Sequence, residues 1–398
     1  MTTRLYYTDP LLRSFDATVL ACAPADGRFL VTLDETAFYP TSGGQPFDTG
    51  RLGQANVLDV IDEDDGTIRH VVDTALVAGT RVQGLIDWPR RLDHMQQHTG
   101  QHILSAAFDR LFGVRTVSFH LGAETSTIDL AREVSAAEAG QAETEANRVV
   151  WDDRPVSVRF VSEEEASRLP LRKEPVRTGP LRLVEVTGFD LSACGGTHVP
   201  QTGMIGLIAV TGWERFKGGS RVGFVCGARA LKSHGALRDV VSSATRALSV
   251  SQGELPATIE RLLGDVKDLS RTVRNLQEEA AVTVASQLRA NAETIGPYRG
   301  VLRDVPGWDA SLLKTLAAAV VAEPGFVVVL TGTGQPPSGQ PVPVVVARSA
   351  DVALDAGAWM KKATAALGGR GGGRAELAQG GLPVSAERVL AFARESFG

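Results

Sequence analysis

Two short motifs, His98-Thr-Gly-Gln-His102 and Cys194-Gly-Gly-Thr-His198, constrain this chain more than any other feature. Together they offer three imidazoles and one thiol, a donor set that Zn2+ accepts in tetrahedral geometry with bonds of about 2.0–2.3 Å. His98 and Cys194 lie 96 positions apart, so any fold that joins them must carry two remote segments to one point. The expected ligands of a single Zn2+ are His98, His102, Cys194 and His198. Asp87 as a cap, Pro89 in a first turn and Gly113 after Phe112 predict one helix over residues 87–112. Residues four apart share a helix face, so His98 and His102 project side by side. The two glycines after Cys194 argue instead for a loop that folds back and aims both its ligands inward. His94, one turn before His98, competes as a ligand but ranks second, because three histidines along one helix span more length than one ion bridges. Cys226 is expected in the core.

No apolar run approaches the ~20 residues needed to cross a bilayer. The N-terminal Met-Thr-Thr-Arg-Leu-Tyr-Tyr lacks the apolar core of a secretory signal. Three scattered cysteines, Cys22, Cys194 and Cys226, cannot build a disulfide framework. A cytoplasmic protein with no membrane partner is expected. A net charge of -5 does not advertise nucleic-acid binding, so local clusters matter more. Such clusters occur at Arg168, Arg172, Lys173, Arg177 and Arg182, at Arg215, Lys217 and Arg221 around Gly218-Gly219, and at Lys361, Lys362, Arg370 and Arg374. A solvated face is the usual meaning of such runs.

The chain reads as α+β and multidomain. Over residues 1–86, short stretches at Asp16–Ala21, Phe29–Leu33, Val57–Ile61, Ile68–Val72 and Val82–Ile86 predict a small β-barrel. Within it, Tyr39-Pro-Thr-Ser-Gly-Gly-Gln45 holds a Gly43-Gly44 step that either lets the backbone approach a ligand or makes a tight turn. Residues 87–235 predict an α+β domain carrying both motifs, with a second helix opened by the capping box Ser135-Ala-Ala-Glu138. Over 236–298, Ile259, Leu262, Val266, Leu269, Val273 and Leu276 step by three and four, the seam of a coiled coil. That helical arm folds within one chain or meets a second copy. Residues 299–398 return to α/β, and their Gly368–Gln379 segment offers open N–H groups and two arginines suited to a phosphate. It lacks the Gly-Lys-Ser/Thr ending of a P-loop.

The Tyr39–Gln45 loop, the Met95–His102 segment and the Cys194–His198 motif together resemble the AlaX family, freestanding editing proteins similar to the editing half of alanyl-tRNA synthetase. Gly368–Gln379 resembles the DHH-associated C-terminal domain that ends those synthetases, so the likeness is to the long form. The resemblance implies trans-editing of tRNA(Ala): hydrolysis of the ester carrying serine, with glycine the second candidate. A pocket built for alanine cannot exclude glycine by size, and serine differs by one hydroxyl. Such differences supply roughly 10–200-fold discrimination, so a second hydrolytic site is required. The resemblance also implies that Thr41, Ser42, Gly43 and Gly44 border the aminoacyl end, and that the basic clusters contact tRNA phosphates. His120, following a strand, either lines the pocket or is a buried imidazole, and Gln101 reads as structural. Four protein ligands fill a tetrahedral shell, so activation of a bound water needs one loose ligand, for which His198 is expected. A metalloprotease would carry glutamate directly after the first histidine, where Thr99 stands. Threonyl-type editing and a non-catalytic zinc-containing tRNA-binding module are the alternatives. A homodimer through the arm and the C-terminal domain is expected.

Overall fold

The computed structural model describes residues 2–172, 180–332 and 341–398, so Lys173 and Arg177 lie outside the described residues. The chain divides into two compact units, Met1–Ala244 and Thr245–Gly398. Among the described residues, no helix is long and apolar enough to cross a membrane.

In the first unit six strands close a barrel in the order Ser14–Ala25, Arg28–Leu33, Ile68–Val72, Ala55–Asp62, Gly50–Leu52 and Arg81–Ile86. Alternate apolar residues fill it: Ala17 and Val19, Val31 and Leu33, Ile68 and Val72 are all buried. Five of these strands overlap the alternating stretches read from the sequence. The sixth, Gly50–Leu52, has only three residues and too little alternation to read.

The loop that leaves this barrel is clamped at its base. Tyr39 N–H donates to Asp48 Oδ2 at 2.7 Å, and Asp48 N–H donates to the Tyr39 carbonyl at 2.9 Å. Asp48 also accepts from Arg91 Nε at 3.0 Å and from its Nη2, both side chains being fully buried. Arg91 stands near the start of the helix Trp88–Phe112, so one buried ion pair ties loop to helix. That helix starts where Asp87 accepts from Arg90 N–H and ends at Gly113, whose φ is 64°.

The helix lies on a four-stranded antiparallel sheet ordered Ile208–Phe216, Gly219–Cys226, Ser126–Leu130, Thr116–Leu121. A Cβ at Gly100 would fall 2.3 Å from Cys226 Sγ, so the glycine inside the histidine motif allows this close approach. Cys226 is buried, as expected. A separate sheet of Val156–Val161, Leu181–Val186 and Asp190–Ala193 leads directly into Cys194. The capping box at Ser135 and Glu138 is formed, and opens the helix Ala136–Trp151.

In the second unit Leu255–Ala290 is one helix of 36 residues. Ala281 and Ala285 near its end are buried in a core shared with Leu313 and Leu316. Its seam residues Ile259, Leu262, Val266, Leu269, Val273 and Leu276 are exposed. A six-stranded mixed sheet follows, ordered Glu293–Ile295, Tyr298–Asp304, Phe326–Thr331, Val342–Arg348, Leu377–Leu382, Arg370–Gly373. The glycine-rich segment, expected as a phosphate loop, is instead the edge hairpin of this sheet. Its glycines serve packing: a Cβ at Gly371 or Gly380 would come 2.9 Å from the Met360 side chain.

Candidate metal centre

The two motifs meet. Among the described residues, His98, His102, Cys194 and His198 form the group able to hold a metal ion, with ligand atoms all within 4.8 Å of one another. Cys194 Sγ lies 3.3 Å from Nε2 of both His98 and His198. Bonds of 2.0–2.3 Å give tetrahedral edges of roughly 3.3–3.8 Å, so these sulfur–nitrogen spacings fit an ion.

Each imidazole is held by its other nitrogen. His98 Nδ1 is 2.8 Å from Gln45 Oε1, His102 Nδ1 is 3.0 Å from Asp190 Oδ2, and His198 Nδ1 is 3.2 Å from Thr99 Oγ1. Partners of this kind fix ring orientation and tautomer, leaving Nε2 for a metal. Gln45 is itself fixed: its Oε1 accepts from Thr197 N–H at 3.1 Å and its Nε2 donates to Thr197 Oγ1 at 2.8 Å. Asp190 also accepts from Arg172 Nε at 2.6 Å. Beside the cluster lies a cavity of about 160 Å3 lined by Gly43, Gln101, His102, Thr116, Phe119 and Cys194, among others.

Burial alone would keep Cys194 a thiol, but the surrounding imidazoles hold its pKa well below the usual thiol range. Burial also pushes His102 down. The Cys194 thiolate and the hydrogen bond to Asp190 more than offset this and lift it to about 9. His198, where burial dominates, falls to about 3. The surroundings thus favour the Cys194 thiolate and a protonated His102, and a cation bound there would displace the His102 proton.

Known proteins resemble this chain in sequence. Residues 181–223 match the family described as "Threonyl and Alanyl tRNA synthetase second additional domain", and residues 298–397 match the DHHA1 domain. The chain is 30% identical over 414 residues to the alanyl-tRNA editing protein AlaX-L of Pyrococcus horikoshii, covering 99% of this chain and 98% of that protein. The chain belongs to the AlaX family, in its long form. It is also 32% identical over 302 residues to the alanyl-tRNA editing protein Aarsd1 of Danio rerio, covering 72% of this chain and 73% of that one. Against the alanine–tRNA ligase of Pyrococcus abyssi the identity is 33% over 393 residues, which is 95% of this chain but 42% of the ligase. The chain thus spans less than half the length of the ligases it matches.

In this AlaX-family chain some of the residues singled out from the sequence lie at the cavity and others do not. Gly43 lines the cavity, and Gly44, at φ 80°, lies so near Phe119 that a Cβ would meet its ring at 2.7 Å. Thr41 is exposed and is not part of the cavity lining. His120 is exposed as well and is not part of the cavity lining, which takes Thr116, Val117, Ser118 and Phe119 from the strand Thr116–Leu121. Gln101, read as structural, lines the cavity and donates from Nε2 to Ser105 Oγ at 2.8 Å. His94 is buried outside the ligand set, and its Nδ1 has no hydrogen-bond partner among the described residues. His198 is as buried and supported as the other two histidines, so nothing marks it as the loose ligand.

The basic clusters divide. Arg172 is drawn into the site by Asp190. Arg221 binds Asp129 through two hydrogen bonds of 2.7 and 2.9 Å and stacks over Phe216. Arg215 pairs with Glu133 at 2.9 Å on the surface, while Lys217, Arg370 and Arg374 are exposed. Sequence reasoning missed the supporting roles of Gln45, Asp190 and Thr99. Each acts on a histidine 53, 88 or 99 positions away, and no local pattern signals such a partner.

Proposed function

We propose that this chain is a trans-editing hydrolase that removes serine, with glycine the second candidate, from mischarged tRNA(Ala) at a Zn2+ site. The observation that carries this is three imidazoles and one cysteine sulfur with ligand atoms all within 4.8 Å of one another, beside a cavity of a size for a small aminoacyl group. Two relatives covered over most of their length are named alanyl-tRNA editing proteins, which supports the substrate class. The nitrogen and sulfur donors favour zinc, and a bound Zn2+ supplies a Lewis acid for an ester carbonyl or a water.

His98, His102, Cys194 and His198 would hold the ion, with Gln45, Asp190 and Thr99 orienting the rings. Gly43 borders the cavity without a side chain, which admits the ester end of the substrate. Gln101 commits Nε2 to Ser105, leaving its carbonyl oxygen to accept from a serine hydroxyl. Alanine offers no such donor, and a polar group left unpaired costs free energy, so alanine is held less well. Lys217, Arg370 and Arg374 are assigned to tRNA phosphates, and neither Thr41 nor His120 receives a catalytic part.

Purified protein incubated with seryl-, glycyl- and alanyl-tRNA(Ala) tests this. Seryl ester should disappear fast and alanyl ester persist, with chelation slowing the loss by roughly 100-fold or more. Tight tRNA binding with intact seryl ester would instead favour a non-catalytic module.

We also propose a homodimer through the long helix. Six exposed apolar residues at coiled-coil spacing need a covering helix, and a second copy presents the matching seam. Sedimentation should give a dimer for the full chain and a monomer for Leu269→Lys/Val273→Lys. A monomeric unmodified protein sinks the idea.

A further inference from the structure

We infer that Arg182 positions the thiolate loop, holding Cys194 where its sulfur meets the three imidazoles. The inference rests on the metal-site reading above.

Arg182 lies on the central strand Leu181–Val186 of the three-stranded sheet and is only 8% exposed. Its Nη1 donates to the Cys194 carbonyl at 2.8 Å and to the Gly196 carbonyl at 2.9 Å. Cys194 N–H returns a bond to the Arg182 carbonyl at 3.0 Å. One residue thus grips the loop through both backbone and side chain. A single nitrogen holding two carbonyls two residues apart makes the Gly195–Gly196 turn curl around it. In that turn Gly196 N–H points at Sγ from 3.4 Å, and Sγ faces His98.

The rest of the guanidinium is lodged among aromatic rings. It lies 5.3 Å from the Tyr7 ring centroid, and Tyr6 packs edge-on against both Tyr7 and Tyr39. Among the described residues its Nε and Nη2 have no hydrogen-bond partner, and no carboxylate pairs with it. Burying a cation in this way is expensive, and the Tyr7 face offsets only part of it. The compensation it does receive comes from the thiolate loop, in charge-assisted bonds roughly twice as strong as neutral ones. An apolar side chain would serve packing alone. The charge and the Nη1 donor serve Cys194. Arg182 touches no ligand atom and does not itself line the cavity, so it is a positioning residue.

Full-length protein loaded with Co2+ tests the inference, because the near-UV thiolate-to-Co2+ band reports the sulfur bond directly. Arg182→Met should bind Co2+ about 10–100-fold more weakly, with that band shifted and diminished. A merely structural role would lower the melting temperature without moving the band. Arg182→Lys keeps the charge but its shorter side chain does not bring a nitrogen to where Nη1 stands, so a smaller loss of the same kind is expected, which also covers an Arg182→Met that fails to fold. Wild-type affinity and spectrum in either folded variant overturn the inference. An unmodified protein that takes Co2+ without any thiolate band sinks the metal reading itself, which keeps the two failures distinct.

Discussion

Gly196→Ala is expected to abolish stoichiometric zinc binding and to lower seryl-tRNA deacylation by roughly 100-fold or more, while the far-UV circular dichroism spectrum stays unchanged. The methyl group would stand 2.1 Å from His98 Cε1, 2.3 Å from its Nδ1 and 3.0 Å from Gln45 Oε1. None of these atoms can retreat freely. His98 is fully buried, and Gln45 is bound twice to Thr197. The ring must swing off its axis, and both the ligand position and its Gln45 partner are lost together. Gly195→Ala is the control, since the nearest atom to its Cβ is Tyr7 Oη at 3.9 Å, an ordinary contact. Metal analysis of the two variants separates them. A zinc-replete, active Gly196→Ala would mean that the loop does not lie against His98.

The second large effect concerns stability. Arg91→Ala should destabilise the first unit by about 3–5 kcal/mol in a urea melt, because it strands a buried carboxylate. Arg91 also donates to the Pro10 carbonyl at 2.9 Å and the Ala37 carbonyl at 2.5 Å, so two more acceptors lose their partner. Arg91→Met with Asp48→Asn removes both charges and should recover part of the loss. A single variant within 1 kcal/mol of the parent would refute this, that threshold being about the value of a surface pair. Since Asp48 closes the loop that bears Gln45, weaker zinc retention should accompany the lower stability.

How far the sequence could be read follows from which contacts are local. Asp87, Pro89 and Gly113 bracket a helix that forms as their chemistry dictates, and alternation gave five strands of the barrel. The group that could hold a metal was legible because its spacing is itself the signal: a four-residue step on a helix, and two glycines in a loop. The glycine-rich segment misled because its glycines, required by Met360 and the neighbouring strand, erase the side-chain pattern of a strand. Arg172 and Arg221 read as phosphate ligands because the aspartates that bind them are 18 and 92 positions away. The cavity takes Thr116, Val117, Ser118 and Phe119 and stops one residue short of His120, a limit that no local pattern marks.

One consequence follows from the bond between Gln45 and His98. A fragment beginning at Asp87 would contain all four candidate donor residues, yet its first histidine would have nothing to aim it, because the acceptor for Nδ1 belongs to the barrel. The boundary that looks natural along the chain therefore cuts through the candidate metal centre, and a fragment that keeps it whole must include the N-terminal strands.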